Sequence, residues 1–155
     1  MHEDFMRHAL RLAAGNARFG KGGPFGAIVV LDGKVVGEGV NQVTSANDPT
    51  AHAEVVAIRD ACRRLERFDL RGAIIYSSCE PCPMCLAAIY WARLDALYYA
   101  ATRTDAARAG FDDDFFYQQV SLPPAERALP CRTLLASEGE EPFRLWLASP
   151  DRIAY

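Results

Sequence analysis

The sequence predicts an α/β protein with three layers, in which a five-stranded mixed sheet carries helices on both faces. The first reason is a β-α-β pattern over residues 73–101, where two short apolar runs flank a helical stretch, because such a unit pairs its strands in parallel. The second reason is Asp32-Gly33, which lies between two β-type runs and is a strong signal for an antiparallel hairpin. A chain that contains both kinds of pairing forms a mixed sheet.

The N-terminal half begins with a helix. Apolar residues recur at helical spacing from His2 to Phe19, and the glycine-rich stretch that follows ends the helix. Residues 25–31 and 34–40 are the two predicted hairpin strands. Residues 41–51 read as a polar loop with turn residues, and residues 52–65 as a helix with His52 at its start.

The C-terminal half is predicted to supply three more strands and three more helices. Pro83 suits the first turn of a helix, since proline there sacrifices no useful N–H group. The predicted elements are a strand at 73–77, a helix from Pro83 to about Ala92, a strand at 96–101, a short helix at 112–120, a fifth strand at Arg132–Ala136 and a final helix at Pro142–Leu147.

Length and composition indicate one domain, residues 1–155, of a globular protein. No apolar run approaches the roughly 20 residues that a membrane helix needs. The first residues lack the basic start and apolar core of a signal peptide. We therefore expect a cytoplasmic protein with no membrane partner.

The charge of the chain argues against a nucleic-acid partner. The formal net charge is −3 and the sequence contains only two lysines, Lys21 and Lys34. Proteins that bind nucleic acids usually carry a basic surface, because phosphate contacts supply most of their affinity. The negative net charge and the scarcity of lysine therefore favour a small-molecule substrate.

Two short segments carry residues that suit metal chemistry. His52 precedes Glu54 by two residues, and Cys82 and Cys85 follow in the motif Cys-Pro-Met-Cys, with proline before it. One imidazole and two thiolates suit Zn²⁺, and three protein ligands leave the fourth tetrahedral position for water. Glu54 would accept a proton from that water, and the combination is typical of zinc-dependent nucleobase deaminases. We expect one zinc ion per chain, bound by His52, Cys82 and Cys85.

Other uses of these cysteines compete with this interpretation. An iron–sulfur site would need a further cysteine at position 89, where the sequence has Ile89. A closed structural zinc site with Cys79 as fourth ligand would make the chain a zinc-stabilised binding module, but it would leave Glu54 without a task. Cys79 is more simply explained as a residue that packs next to the site. Cys62 and Cys131 are expected to have no role in the chemistry.

The remaining candidates have ordinary structural explanations as well. His2 and His8 lie on a predicted amphipathic helix and are expected to be solvated. The acidic run at 112–114 could simply favour a helix N-terminus. Phe25 and Trp91 could be core aromatics, although a nucleobase also needs apolar faces to stack on.

The segments around these residues resemble a known family. Residues 47–54 and 79–85 are similar to the cytidine deaminase-like zinc superfamily, and the chain resembles the bacterial guanine deaminases within it. The more specific marks are residues 22–27, 88–93, 104–107 and 109–113, together with the aromatic C-terminal residue Tyr155. The stretch around His52 is shared with tRNA-specific adenosine deaminases, so the acidic and aromatic residues 104–117 decide between these relatives.

The resemblance implies a zinc aminohydrolase that converts guanine and water to xanthine and ammonia. Glu54 and Asp113 would be catalytic, with Glu54 moving a proton from the water to ring N3 and Asp113 facing the N1–H side of guanine. It further implies a homodimer in which the C-terminal segment, residues 149–155, crosses to cap the partner's active site. The residues expected to contact the substrate are Phe25, Asn41, Trp91, Asp113 and Tyr155.

Several alternatives remain open at the level of the sequence. The substrate could instead be guanosine, an amino-triazine, cytosine or an adenosine in tRNA. Which of the three aspartates at 112–114 contacts the substrate also stays open, with Asp113 as the candidate.

Overall fold

The computed structural model describes residues 1–20, 22–111 and 113–155, so Lys21 and Asp112 lie outside the described residues. Its sheet has the strand order β2-β1-β3-β4. Strand β1 pairs antiparallel with β2 and β3, whereas β3 and β4 are parallel, which confirms the mixed sheet and the β-α-β crossover. The strands are β1 (Gly26–Leu31), β2 (Lys34–Val40), β3 (Ala73–Cys79) and β4 (Ala96–Ala101).

Helices cover both faces of the sheet, as predicted. Helix α1 packs on one face, where Ala9 meets Ile28, and α3 and α4 pack on the other, where Ala57 and Ile89 join the cluster around Val29. The helices are α1 (His2–Arg18), α2 (Val43–Ala46), α3 (Ala53–Leu65), α4 (Pro83–Trp91), α5 (Arg103–Arg108), α6 (Asp114–Ser121), a 3₁₀ turn (Pro124–Glu126) and α7 (Glu141–Ala148).

Helix α3 lies unusually close to strand β2 because β2 presents glycines to it. A Cβ atom at Gly39 would overlap the carbonyl oxygen of Ala53 and the amide nitrogen of Ala57. A Cβ atom at Gly37 would overlap the next turn of the same helix. The absence of these two side chains lets the first turn of α3 rest on the sheet, and this contact places His52, the residue that precedes the helix.

The prediction of a fifth strand is wrong for the described part of the chain. Residues 131–135 have no assigned strand, and all residues from 128 to 148 are exposed. A strand requires a partner for its backbone groups, and this segment pairs with neither edge of the described sheet. The segment therefore pairs with no strand in the described part of the chain, although its sequence favours an extended backbone.

Smaller differences concern short helices. The four-residue α2 interrupts the predicted polar loop at 41–51, and the six-residue α5 was not predicted. Helices this short show too little periodicity to be recognised from apolar spacing. The predicted helix at 112–120 is observed as α6, which begins at Asp114. Among the described residues, no helix combines the length and apolar character that crossing a bilayer requires.

Candidate active site

The predicted metal ligands converge at the N-terminal ends of two helices. His52 is the N-cap of α3 and Cys82 is the N-cap of α4, both with extended backbones, while Cys85 lies in the first turn of α4. Because Cys82 and Cys85 are three residues apart, they lie on one side of that turn. The positive ends of the helices favour the thiolate form of cysteine.

The distances between the ligand atoms fit a tetrahedral zinc site. His52 Nδ1 lies 3.6 Å from Cys82 Sγ and 3.4 Å from Cys85 Sγ. Usual Zn–N and Zn–S bond lengths at a tetrahedral angle place nitrogen and sulfur about 3.5 Å apart. The three donor atoms all lie within 4.8 Å of one another. The donor set therefore fits Zn²⁺ in both chemistry and spacing.

The protonation of this cluster also favours a cation. A hydrogen bond from Cys85, together with His52, lowers the pKa of the Cys82 thiol to about 4. The hydrogen bond to Cys82 and burial raise the pKa of Cys85, whose thiol supplies the shared proton. The hydrogen bond to Cys82 raises the pKa of His52. The cluster already concentrates negative charge on sulfur, and binding a metal releases such shared protons.

Cys79 does not belong to the ligand cluster. The cluster found among the described residues contains His52, Cys82 and Cys85. Cys79 instead donates its thiol to the carbonyl oxygen of Thr102 at 3.6 Å, and burial raises the pKa of Cys79 to about 11. A protonated thiol engaged elsewhere is a poor zinc ligand, so the closed structural site loses its fourth donor.

Glu54 is buried beside the ligand cluster without belonging to it. Its side chain is 6% exposed, and Ser77 Oγ donates a hydrogen bond to Glu54 Oε1 at 3.1 Å. Burial raises the pKa of the Glu54 carboxyl. A carboxylate with a raised pKa, next to a metal site but not spent on coordination, suits proton transfer. Ser77 was not singled out from the sequence, because only the fold brings strand β3 alongside the first turn of α3.

A cavity of about 470 Å³ opens onto these residues. Its lining includes the predicted substrate contacts Phe25, Asn41 and Asp113 together with His52, Glu54 and Cys82. Phe111 also lines it and meets Phe25 edge-on, with ring centroids 4.9 Å apart. Phe111 was not predicted as a site residue, although it lies in a segment that carries the family resemblance. The two rings give the cavity an apolar wall suited to a planar base.

The side-chain amide of Asn41 is held in one orientation. Its Oδ1 accepts hydrogen bonds from the backbone N–H groups of Gly23 at 3.3 Å and Val43 at 3.2 Å. The backbone carbonyl of Asn41 accepts a hydrogen bond from Asn16 Nδ2 at 2.9 Å. Among the described residues, Nδ2 of Asn41 has no hydrogen-bond partner. The amide can therefore offer the cavity a fixed donor.

Asp113 adds a second carboxyl group to the lining of the same cavity. It is the residue that precedes α6, and it is half-buried. It also lines an adjoining apolar cavity of about 500 Å³, which shares His52 and Cys82 with the first. Asp112, the neighbouring candidate, lies outside the described residues.

Two predicted substrate contacts are not brought to this cavity within one chain. Trp91 is the last residue of α4, so it lies about 13 Å along the helix from the ligand end. Tyr155 packs against Trp91, with ring centroids 5.9 Å apart, and against Phe68 at 6.5 Å. The pocket that these aromatic residues line does not include Glu54 or the metal ligands. Trp91 is therefore better explained by its packing against the C-terminal tail.

The other histidines make structural contacts. His8 Nε2 lies 3.2 Å from Glu38 Oε1, and His2 Nδ1 lies 2.6 Å from the hydroxyl of Tyr76. These contacts attach α1 to the sheet.

The fold and the site together define a class of protein. A mixed sheet between helices, with histidine and two cysteines at helix ends beside a buried glutamate, is the arrangement of a zinc-dependent deaminase. Residues 1–101 match the family described as the cytidine and deoxycytidylate deaminase zinc-binding region, and the chain belongs to that family.

The relatives of the chain narrow this class. Guanine deaminase of Bacillus subtilis strain 168 is 53% identical over 145 residues, which cover 94% of this chain and 93% of the relative. The X-ray structure of guanine deaminase from Bacillus subtilis superposes with a TM-score of 0.97 at 50% identity, covering 100% of this chain and 99% of that one. A tRNA-specific adenosine deaminase of Agrobacterium fabrum is 50% identical over 78 residues, 50% of this chain and 51% of the relative. The predicted family, fold and zinc dependence are confirmed.

Proposed function

We propose that this protein deaminates guanine, converting guanine and water to xanthine and ammonia. The observation that carries the proposal is one cavity lined by the zinc ligands His52 and Cys82, the buried carboxylate of Glu54 and a second carboxylate, Asp113. Cys85, the third ligand, lies within 4.8 Å of the other two donor atoms. Similarity to a guanine deaminase over 94% of the chain supports the same substrate.

Glu54 has the position of the proton carrier. When bound at His52, Cys82 and Cys85, Zn²⁺ would supply Lewis-acid activation of the attacking water. Glu54 accepts one proton from that water as its oxygen attacks C2 of guanine, and delivers this proton to ring N3. The second proton of the water moves to the amine at C2, which leaves as ammonia. Ser77 orients the carboxylate for these transfers by its hydrogen bond to Oε1.

Substrate recognition follows from the chemistry of the cavity wall. Guanine presents two donors, N1–H and the 2-amino group, and the carboxylate of Asp113 is an acceptor for both. The amide Nδ2 of Asn41 donates to an acceptor on another edge of the base. Phe25 packs against the face of the base. Adenine has no N1–H group, so it would leave a partly buried carboxylate without a donor, and such a mismatch penalises binding strongly.

The alternatives account for fewer of these features. A tRNA-specific adenosine deaminase that matches 88% of the chain is 36% identical, against 53% for the guanine deaminase, and the net charge of −3 does not favour tRNA. A zinc-stabilised binding module would give the buried Glu54 no task. Guanosine, amino-triazines and cytosine differ from guanine in size or in their pattern of donors, so they are competitors for direct measurement.

We further propose that the enzyme works as a homodimer in which the C-terminal tail caps the partner's cavity. Many large apolar side chains between residues 129 and 155 are exposed, and exposed apolar surface of this extent often marks an interaction site. They include Leu129, Leu134, Leu135, Phe143, Leu145, Trp146, Leu147, Ile153 and Tyr155. A second copy of the chain would cover them.

The position of Tyr155 supports exchange between subunits. Tyr155 packs at the far end of α4 from the ligands of its own chain, so in this arrangement it does not cap its own cavity. The apolar cavity of about 500 Å³ beside the ligands is lined by Pro49, Pro83, Met84, Phe116 and Val120, among others. This cavity offers an apolar surface on which the partner's tail could bind. A closed tail would exclude water and strengthen the electrostatic interactions of the cavity.

A substrate panel tests the proposed activity. Ammonia release by the zinc-loaded protein should be measured with guanine, guanosine, adenine, cytosine, melamine as an amino-triazine and a tRNA anticodon stem. We expect kcat/KM for guanine to exceed the values for adenine and cytosine by at least about 100-fold, the discrimination that an unpaired polar group can impose, and to be the highest of the panel. A higher kcat/KM on any other substrate of the panel would contradict the proposal.

A further inference from the structure

The substrate-facing residues Phe111 and Asp113 are carried by a segment with little apolar anchoring. This segment, here called the α5–α6 arm, comprises residues 102–111 and 113–121. Ala106 is the one buried residue in the described part of the arm. Segments with few buried contacts open easily, so specific polar contacts must hold the arm in place.

Those contacts converge on the loop that carries the zinc ligands. Tyr117 donates its hydroxyl to the carbonyl oxygen of Pro81 at 2.8 Å. Glu80 Oε2 accepts a hydrogen bond from the backbone N–H of Arg103 at 3.1 Å. Pro81 immediately precedes the ligand Cys82, so both ends of the arm are attached next to the metal site.

The two attachments are joined to each other by Arg103. Its guanidinium lies over the ring of Tyr117, 4.8 Å from the ring centroid, and within 3.7 Å of Asp114 Oδ1. Arginine stacks well on aromatic faces because its guanidinium is planar and weakly hydrated. Glu80, Pro81, Arg103 and Tyr117 therefore form one connected group, here called the latch. Burial raises the pKa of Tyr117, which keeps its hydroxyl protonated and able to donate.

We propose that the latch sets the distance between Asp113 and the zinc ligands, so that Tyr117 and Arg103 are positioning residues for base selectivity. Asp113 lies four residues before Tyr117, one helical turn away, so anchoring Tyr117 to Pro81 fixes where Asp113 enters the cavity. Neither Tyr117 nor Arg103 lines the cavity. They act through the position of Asp113 rather than on the base, and the inference rests on guanine being the substrate.

Binding measurements test this inference without turnover. In zinc-loaded protein carrying Glu54→Gln, we would measure the Kd of guanine and of adenine with and without Tyr117→Phe. Phenylalanine keeps the ring under Arg103 and removes only the hydroxyl. We expect guanine to bind about two- to tenfold more weakly, the range of one lost hydrogen bond, with adenine unchanged. The selectivity for guanine falls because only guanine engages Asp113 with two donors.

Arg103→Ala should act in the same direction, and Arg108→Ala is its matched control. Arg108 lies on the same helix and pairs with Asp105 at 3.2 Å, but it has no part in the latch. We expect about a two- to fivefold loss of guanine affinity for Arg103→Ala, the range of a cation–π contact. Arg108→Ala should leave the affinity unchanged. Hydrogen exchange of residues 113–121 should be faster in Tyr117→Phe, while exchange of α3 stays the same.

The outcomes separate the latch from the proposed activity. Equal loss of guanine and adenine affinity would show general loosening and would overturn the positioning role. Unchanged guanine affinity in Tyr117→Phe, or an equal loss in Arg108→Ala and Arg103→Ala, would overturn it too. If the wild-type protein does not deaminate guanine, the proposed function fails, and the hydrogen-exchange measurement still decides whether the latch holds the α5–α6 arm in place.

Discussion

At the scale of single residues, the proposed chemistry gives different roles to two neighbouring side chains. His52 and Glu54 are two residues apart, yet one faces the zinc cluster while the other is buried with Ser77. Both side chains nevertheless reach the same cavity, because His52 is the N-cap with an extended backbone and Glu54 is in the first turn of the helix. Residues two apart on a regular helix would point in different directions.

Replacing Glu54 by Gln tests its role as a proton carrier. The amide keeps the shape and the contact with Ser77 but cannot accept a proton. We expect kcat for guanine to fall by about 100- to 10,000-fold, the usual contribution of a positioned acid–base group, with zinc content retained. Steady-state kinetics and elemental analysis would measure both.

The double variant Cys82→Ala/Cys85→Ala is the control that separates zinc loss from proton transfer. It should lose both zinc and activity. Turnover near the wild-type value in Glu54→Gln would require another base. Full zinc occupancy in the double cysteine variant would contradict the ligand assignment.

At the scale of elements, the site depends on how closely α3 approaches the sheet. Gly39 faces the backbone of Ala53 and Ala57, so strand β2 fixes the position of the helix start and of His52. Strand β3 supplies Ser77 beneath Glu54 and ends at Cys79, after which the loop leads to the two cysteine ligands. The metal site thus depends on the contact of α3 with β2 and on the path of β3 into the loop that follows it, rather than on a single loop.

The substitution Gly39→Ala tests this dependence. The added Cβ must push α3 away from β2, and we expect a loss of about 1–3 kcal/mol in the free energy of unfolding, with weaker zinc binding. Denaturant unfolding and zinc titration would measure the two effects.

Gly15→Ala is the matched control for this substitution. No heavy atom lies within 4 Å of a Cβ atom at Gly15, which is inside helix α1. Alanine there should stabilise the protein by up to about 1 kcal/mol, because alanine is the better helix former. Equal stability and zinc affinity in Gly39→Ala and the wild type would show that α3 can shift without consequence.

At the scale of the whole molecule, the C-terminal part of the chain differs from the compact core in its exposure. Residues 128–148 are exposed throughout, and Tyr155 rests against Trp91 and Phe68. Large exposed apolar groups are unfavourable in water, so a second copy of the chain is the partner that we propose for them. Activity and subunit association would then depend on the same segment.

Deletion of residues 151–155 tests the proposed cap. We expect guanine turnover to fall strongly while zinc content and the folded core are retained, because the cavity stays open to water. Mixing the truncated chain with the Glu54→Gln chain should restore part of the activity. The mixed dimer has one intact zinc site, which the other chain's tail can cover.

Two results would limit this proposal. Full activity of the truncated chain would exclude any capping role for the tail. An inactive truncation that mixing fails to rescue, despite verified subunit exchange, would mean that the tail acts within its own chain.

The sequence by itself predicted a zinc-dependent deaminase, its candidate ligands with the neighbouring glutamate, and most of the core elements. These features depend on short-range patterns: ligand spacing, the proline at the start of α4, and the turn at Asp32-Gly33, whose residues have φ angles of 50° and 73°. Each is a preference of the local sequence with which the tertiary contacts are compatible. The mixed sheet followed because β-α-β units and tight hairpins have few possible topologies.

Only the tertiary structure decided which residues share the cavity and which do not. The contact of Ser77 with Glu54, the fixed amide of Asn41 and the edge-on pair of Phe25 and Phe111 join segments far apart in the sequence. The predicted fifth strand is not observed for the same reason, because an extended tendency in residues 132–136 does not by itself bring them against the open edge of β4. Pairing and burial are properties of two segments at once, and a pattern in one segment does not specify its partner.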